Sequence, residues 1–298
     1  MAWILIALAS YFFWGLVNLG DKFLISKKIQ NPYSYLVILV WAGVLGLLII
    51  PFIDFFVPEF KWLLWIAIAS ALYFFGSIFY YRAVKIEDIS RVNIWWNLIP
   101  VFTLIIAQLT INEQLTNNQF IAFIFLVMGA IIASIHFRQT RISFSRALPL
   151  MIVSTISYAG YAVMIRHISS EIPFLVIYVW NLITVIVLSS VLFLRLKFRK
   201  DFKTDIKNIN KKVAGTIIGV AILDELGVLF NMWALSLGPA ALIFALEGAQ
   251  TLFVFLMVVL ISLFSPHIIK EELDRRNIFL KILALVIIIV GVVLVNLG

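Results

Sequence analysis

Ten apolar runs of about 20 residues, joined mostly by short loops, constrain this chain more than any other feature. They fall near 2–24, 33–53, 62–83, 89–110, 118–136, 147–167, 173–196, 213–237, 239–263 and 278–297. Each is long enough to cross a hydrocarbon core of roughly 30 Å as a helix. Composition agrees: 63% of residues are hydrophobic and 13% are charged. A soluble domain could not hide that much apolar surface. The chain therefore reads as an all-α membrane protein. The first run has no basic segment before it and no small-residue cleavage site, so it is a span and not a removed signal. Only the loops 195–212 and 264–277 are long, which leaves one transmembrane domain over 1–298. The chain has no cysteine, which excludes disulfides, thiol catalysis and Cys-ligated metals.

The net charge of +8 is a matter of topology and does not point to nucleic acid. All the Lys and Arg residues except Lys61 and Arg166 fall in or beside the loops that follow runs 1, 3, 5, 7 and 9. The positive-inside rule puts those loops in the cytoplasm and both termini outside. A prokaryotic plasma membrane is the expected location. The densest basic cluster, Arg195 to Lys212, also suits anionic lipid headgroups.

The two halves of the chain are related. Ala83–Leu115 and Ala234–Leu263 both lead from a small-residue turn into a helix, at an offset of 151. Ser10–Lys22 matches Ser154–Arg166 at an offset of 144, pairing Trp14 with Tyr158 and Lys22 with Arg166. The expected repeats are 1–140 and 141–298, five helices each. Five is odd, so the second copy enters the membrane from the opposite face. Inverted repeats of this kind are a recurrent basis of alternating-access transporters, with the binding site near the midplane between the halves.

With these features the whole chain resembles the EamA family of the drug/metabolite transporter superfamily. The likeness is carried by Trp14-Gly15 in the first helix and by Pro100-Val101-Phe102 in the fourth, 17 residues beyond Ala83-Val84. Asn112-Glu113, in place of a Gly-Glu pair, and Gly129 in the fifth helix complete it. The second half departs from the pattern: Gln250-Thr251 replaces a frequent Glu-Pro, and an insertion around Ser265–Arg276 replaces the closing Gly-Glu. The resemblance implies a ten-helix transporter fold. Family members are often drawn with cytoplasmic termini, whereas the charge distribution here points to the opposite orientation.

Three of the 15 acidic residues, Asp224, Glu225 and Glu247, sit inside apolar runs with no Lys or Arg at comparable depth. A carboxylate near the bilayer centre costs about 2.5–3.5 kcal/mol on insertion scales, so such groups face inward and are used. Asp224 and Glu225 are neighbours and point about 100° apart; Asp224 shares its face with Asn231. Glu247 and Gln250 lie one turn apart. Trp14, Trp41, Trp96 and Trp180 fall within spans, Trp96 matching Glu247 under the 151 offset. Indole faces beside a carboxylate suit an ammonium group, each cation–π contact being worth about 0.5–2 kcal/mol. The expected substrate site is therefore Trp14, Trp41, Trp96, Trp180, Tyr158, Asn97, Glu225, Glu247 and Gln250, with Asp224, Glu225 and Glu247 available for proton coupling. Pro100 is expected to bend the fourth helix.

There is no phosphate-binding Gly-x-x-x-x-Gly-Lys loop, and the three histidines stand singly at helix ends. An enzyme is a poor reading, and no cofactor or metal is expected. The expectation is a secondary transporter of a small polar metabolite (amines, quaternary ammonium compounds or amino acids first) with its cavity lined by helices 1–4 and 6–9. Helices 5 and 10 would be peripheral and could support a homodimer. A nucleotide-sugar or sugar-phosphate carrier is the rival within transport, but it would want a mid-depth Lys or Arg for phosphate. A non-transporting scaffold or lipid-binding protein is the rival outside it.

Overall fold

The structure is a computed structural model that describes residues 2–27, 29, 31–87, 92, 95–134, 147–207, 209–264 and 275–296. The insertion Ser265–Arg276 and the first part of the fourth span lie largely outside the described residues, as do His136 and His267. Among the described residues every regular element is helical. In chain order these are α1 (Ala2–Lys27), α2 (Pro32–Ala42), α3 (Phe60–Ile86), α4 (Ile99–Thr110), α5 (Asn117–Ser134), α6 (Leu148–Ile168) and α7 (Phe174–Val191). Then follow α8 (Leu196–Lys207), α9 (Lys211–Leu237), α10 (Ala240–Ala245), α11 (Gly248–Phe264) and α12 (Arg275–Asn296). Nine described stretches are long and apolar enough to cross a membrane, and Ile99–Thr110 is a shorter apolar helix belonging to the fourth span.

Four local features differ from the sequence expectation. The second span is α-helical only to Ala42 and continues as a 3₁₀ helix over Gly43–Phe52. Ten residues is long for that geometry, whose poorer hydrogen bonds usually limit it to a turn. The loop 195–212 contains α8, which buries Phe198 and Phe202 against Val37 and turns its basic residues outward. The fourth and ninth spans are each interrupted by a tight turn, at residues 97–98 and 246–247, an offset of 149. Bonds such as Leu98 N to Trp95 O and Glu247 N to Phe244 O replace the α-helical pattern there. Pro100 consequently does not bend a continuous helix. It occupies the first turn of α4, where a missing N–H costs nothing.

The inverted repeat is visible in individual hydrogen bonds. Ser10 Oγ on α1 donates to the Gly227 carbonyl of α9 at 2.8 Å. Ser154 Oγ on α6 donates to the Gly76 carbonyl of α3 at 2.9 Å. Ser10 and Ser154 are 144 residues apart, and Gly76 and Gly227 are 151 apart, the two offsets seen in the sequence. A Cβ at Gly227 would meet the Trp14 indole at 2.5 Å, and one at Gly76 would meet the Tyr158 ring at 3.0 Å. Glycine at both places lets α1 lie on α9 and α6 lie on α3 at close range. Helices α5 and α12 pack on each other at the side.

The two ends of the bundle are packed differently. Away from the basic loops, the first part of α1 (Trp3 to Tyr11), the last part of α6 (Tyr161 to Ile168) and all of α10 belong to one continuous core. Toward the basic loops the packing divides. Val17, Leu24, Tyr35 and Val220 form one cluster, and Ala83, Val92, Ala147 and Met151 form another. A cavity lies between them.

Candidate functional site

Helical spacing decides what lines this cavity, which encloses about 220 Å³. From α1 come Trp14, Val17, Asn18 and Asp21, the i, i+3, i+4, i+7 stripe of one helix face. From α3 come Tyr73, Ser77, Tyr80 and Tyr81, from α6 Tyr158 and Tyr161, and from α9 Asp224, Val228 and Asn231. The two broken spans supply Trp96 and Asn97 on one side and Glu247, Gln250 and Thr251 on the other. The described lining thus holds three carboxylates, Asp21, Asp224 and Glu247, and no Lys, Arg or His.

Hydrogen bonds hold several of these groups in place. Trp14 Nε1 donates to Asp224 Oδ1 at 3.0 Å, across from the first repeat to the second. On the other side the hydroxyls of Tyr158 and Ser77 lie 2.7 Å apart. Asn97 Nδ2 donates to Ser134 Oγ at 3.0 Å. The Tyr35 hydroxyl donates to Asp21 Oδ1. Rings make a continuous wall: Tyr80 to Trp96 at 4.7 Å between centroids, Trp96 to Tyr158 at 5.1 Å, Tyr158 to Tyr73 at 5.4 Å and Tyr73 to Tyr161 at 5.1 Å. Two buried polar atoms of lining residues, Glu247 Oε2 and Asn231 Nδ2, make no hydrogen bond among the described residues. Buried polar atoms are normally paired, so an unpaired acceptor and donor beside one cavity mark a place for a ligand or water.

Six of the sequence-nominated binding residues meet here: Trp14, Trp96, Asn97, Tyr158, Glu247 and Gln250, together with Asp224. Three others do not. Trp41 follows Val40, which lines the cavity, and one residue rotates a helical side chain by about 100°. Its indole therefore faces away, donating to Ser189 Oγ at 3.2 Å and stacking on Phe193 at 5.1 Å. Trp180 lies on α7, which contributes nothing to the lining; it donates to the Phe56 carbonyl at 3.2 Å and stacks on Phe55.

Glu225 is the third. It points away from Asp224 into a separate lateral pocket of about 230 Å³, with Leu226, Leu229 and Ile49 around it. Its Oε2 accepts from the Tyr178 hydroxyl at 2.7 Å. A Cβ at Gly43 would run into its carboxylate, so the 3₁₀ segment passes here at close range. Helix 7 is thus not a wall of the central cavity, whereas Ser134 of α5 is part of it.

Asp21, Tyr73, Tyr80 and Tyr81 line the cavity but are not among the residues the sequence nominates. The signal for Asp21 was its seven-residue spacing from Trp14. Tyr73 and Tyr80 carry the same spacing within α3, and Tyr81 follows eight residues after Tyr73.

The end of the bundle opposite the basic loops is tied by an ion pair. Glu113 Oε2 lies 3.4 Å from Arg166 Nε. Glu113 Oε1 also accepts from the backbone N–H of Ala240, the first residue of α10, at 3.0 Å. Arg166 donates to the Leu235 and Ser236 carbonyls at 3.2 and 3.0 Å, at the C-terminal end of α9. Burial raises the Glu113 carboxyl above the usual glutamate range, against the lowering influence of Arg166 and of the Ala240 N–H.

The sequence profile of the EamA-like transporter family matches this chain twice, over residues 1–135 and again over 145–297. A solved crystal structure of another protein superposes with a TM-score of 0.69 at 13% identity, over 99% of this chain and 96% of that one. At that identity the likeness concerns the fold alone. No curated protein matches the chain significantly.

Proposed function

Since the chain belongs to the EamA-like transporter family, we propose that it carries small organic cations across the membrane by alternating access. One observation supports this reading above the others. Three carboxylates and a wall of aromatic rings line a cavity whose described lining has no basic side chain. An ammonium group would find a charge partner in Asp224 or Glu247 and ring faces in Trp96, Tyr80 and Tyr158. A phosphorylated sugar would meet three like charges and no guanidinium or ammonium.

Glu247 is the natural place for a coupling proton, because it lines the cavity and its buried Oε2 has no partner among the described residues. Glu225 sits apart from the cavity, so on this reading any role it has is in proton movement and not in substrate contact. With the basic loops in the cytoplasm, the arrangement corresponds to a carrier whose cavity lies toward the cytoplasm and whose outer end is held by Glu113 and Arg166.

Thermal unfolding of the purified protein against a ligand panel tests the proposal. The panel should hold amines, quaternary ammoniums, amino acids, nucleotide sugars and sugar phosphates. A ligand at about 100 times its dissociation constant adds roughly 2.7 kcal/mol to the folded state. Stabilisation by cations, lost in Asp224→Asn while that protein remains folded, is the expected result. Stabilisation by phosphorylated sugars instead would overturn it.

A further inference from the structure

The cavity carries its negative charge at two depths, and from this spacing we infer that the transported cation is a dication, an α,ω-diamine or bis-ammonium compound. The inference rests on the cation reading above. Asp224 is held at the depth of Trp14 by the 3.0 Å indole bond. Asp21 lies on the same face of α1 seven residues further toward the basic loops, about 10 Å along the helix axis at ~1.5 Å per residue.

Each ammonium sits ~2.8 Å from its carboxylate, so two ammoniums on the inner sides of Asp21 and Asp224 are left about 5–8 Å apart. A chain of four to six carbons, on the order of that gap, spans it when extended. The wall around the cavity suits such a molecule. Val17, Leu36, Leu39 and Val40 are apolar and would pack against methylene groups, while Tyr80 and Tyr81 offer ring faces and hydroxyls.

Charge balance leads to the same class. A monocation would leave two carboxylates of the three without a counter-charge in a site whose described lining has no basic residue. A dication satisfies Asp21 and Asp224 together. Glu247, with its unpaired Oε2, is then left for a single proton.

The test is a binding series on the full-length protein in nanodiscs, followed by calorimetry. The ligands are n-alkylamines and α,ω-diamines of three to eight carbons, measured against wild type and Asp21→Asn. The expected result is a maximum at four to six carbons, with diamines bound at least tenfold more tightly than the alkylamine of equal length. In Asp21→Asn that ratio should fall toward one. If diamines bind no better than monoamines, or the ratio survives in Asp21→Asn, the dication inference is overturned while the cation site stands. If no amine of either kind binds, the cation reading fails and takes this inference with it. Should Asp21→Asn not fold, the chain-length profile of the wild type decides alone, and a flat profile overturns the proposal.

Discussion

Glu113 and Arg166, 3.4 Å apart, join the loop after α4 to the end of α6 and hold both sides of the Gly238-Pro239 joint between α9 and α10. One residue of each repeat contributes. Replacing Arg166 by Gln removes the counter-charge of a largely buried carboxylate and two donors to helix-end carbonyls. A loss of about 1–3 kcal/mol in stability is expected. Glu113→Gln keeps an acceptor for the Ala240 N–H and should cost about 1 kcal/mol or less. Thermal unfolding of the two variants measures this, and equal losses would mean that the guanidinium contributes nothing beyond the pair.

The same carboxyl gives a pH dependence of defined sign. Burial raises the Glu113 pKa in the folded protein, so its protonated form is favoured there. Its contribution to stability is fully present below the ordinary glutamate value of about 4.3 and is lost as pH rises through the raised value. Glu113→Gln should flatten that part of the stability profile. If the slope persists in the variant, another group is titrating.

Asn112 takes a backbone φ of 51° just after α4 ends, and the chain then turns so that Glu113 reaches across to Ala240. Only Gly, and after it Asn, adopts this conformation readily. This is the physical content of the Gly-Glu pair that the family uses at the same place. Asn112→Gly should change stability by less than about 0.5 kcal/mol, whereas Asn112→Val should cost about 1–2 kcal/mol. Equal stability of the two variants, compared by denaturant titration, would contradict the assignment.

Gly227→Ala and Gly76→Ala probe the two copies of one packing contact. Overpacking in a close helix contact costs about 1–3 kcal/mol. The Gly227 change should be the more harmful, since its Cβ would lie 2.5 Å from Trp14 against 3.0 Å from Tyr158 for Gly76. It should also weaken cation binding by displacing the indole that holds Asp224. Matched melting and binding measurements would reveal a reversed order if the two copies are packed otherwise.

Trp96 and Trp41 separate cavity from periphery. Loss of one cation–π face is worth about 0.5–2 kcal/mol, a weakening of roughly 2- to 30-fold. That loss is expected in Trp96→Ala. Trp41→Ala should lose packing against Phe193 and leave cation affinity unchanged. Calorimetry with a quaternary ammonium ligand distinguishes them, and a loss at Trp41 as large as at Trp96 would refute the placement.

Much of the architecture was legible in the chain because its determinants are local or periodic. Apolar run length sets a span, and the odd number of spans per repeat sets the inversion. The offsets of 144 and 151 reappear as the matched bonds of Ser10 and Ser154. Asp224 with Asn231, and Glu247 with Gln250, line one cavity because residues one or two turns apart share a face. The 3₁₀ path of Gly43–Phe52 was not legible, since an apolar run reads alike in either helix. It follows from the close approach to Glu225 and Tyr178, which belong to distant parts of the chain.

What the sequence determined by itself is the set of ten spans, the repeat, the family and the presence of carboxylates at membrane depth. Each of these depends on residue type and spacing along the chain. Which carboxylates share a cavity was decided by tertiary structure. A difference of about 100° sends Asp224 to the centre and Glu225 to the side, and packing of α9 against α1 sets which of the two faces inward. The same packing brought Asp21 and the tyrosines of α3 to the cavity and turned Trp41 and Trp180 away. A helix face has no inside until its neighbours are in place.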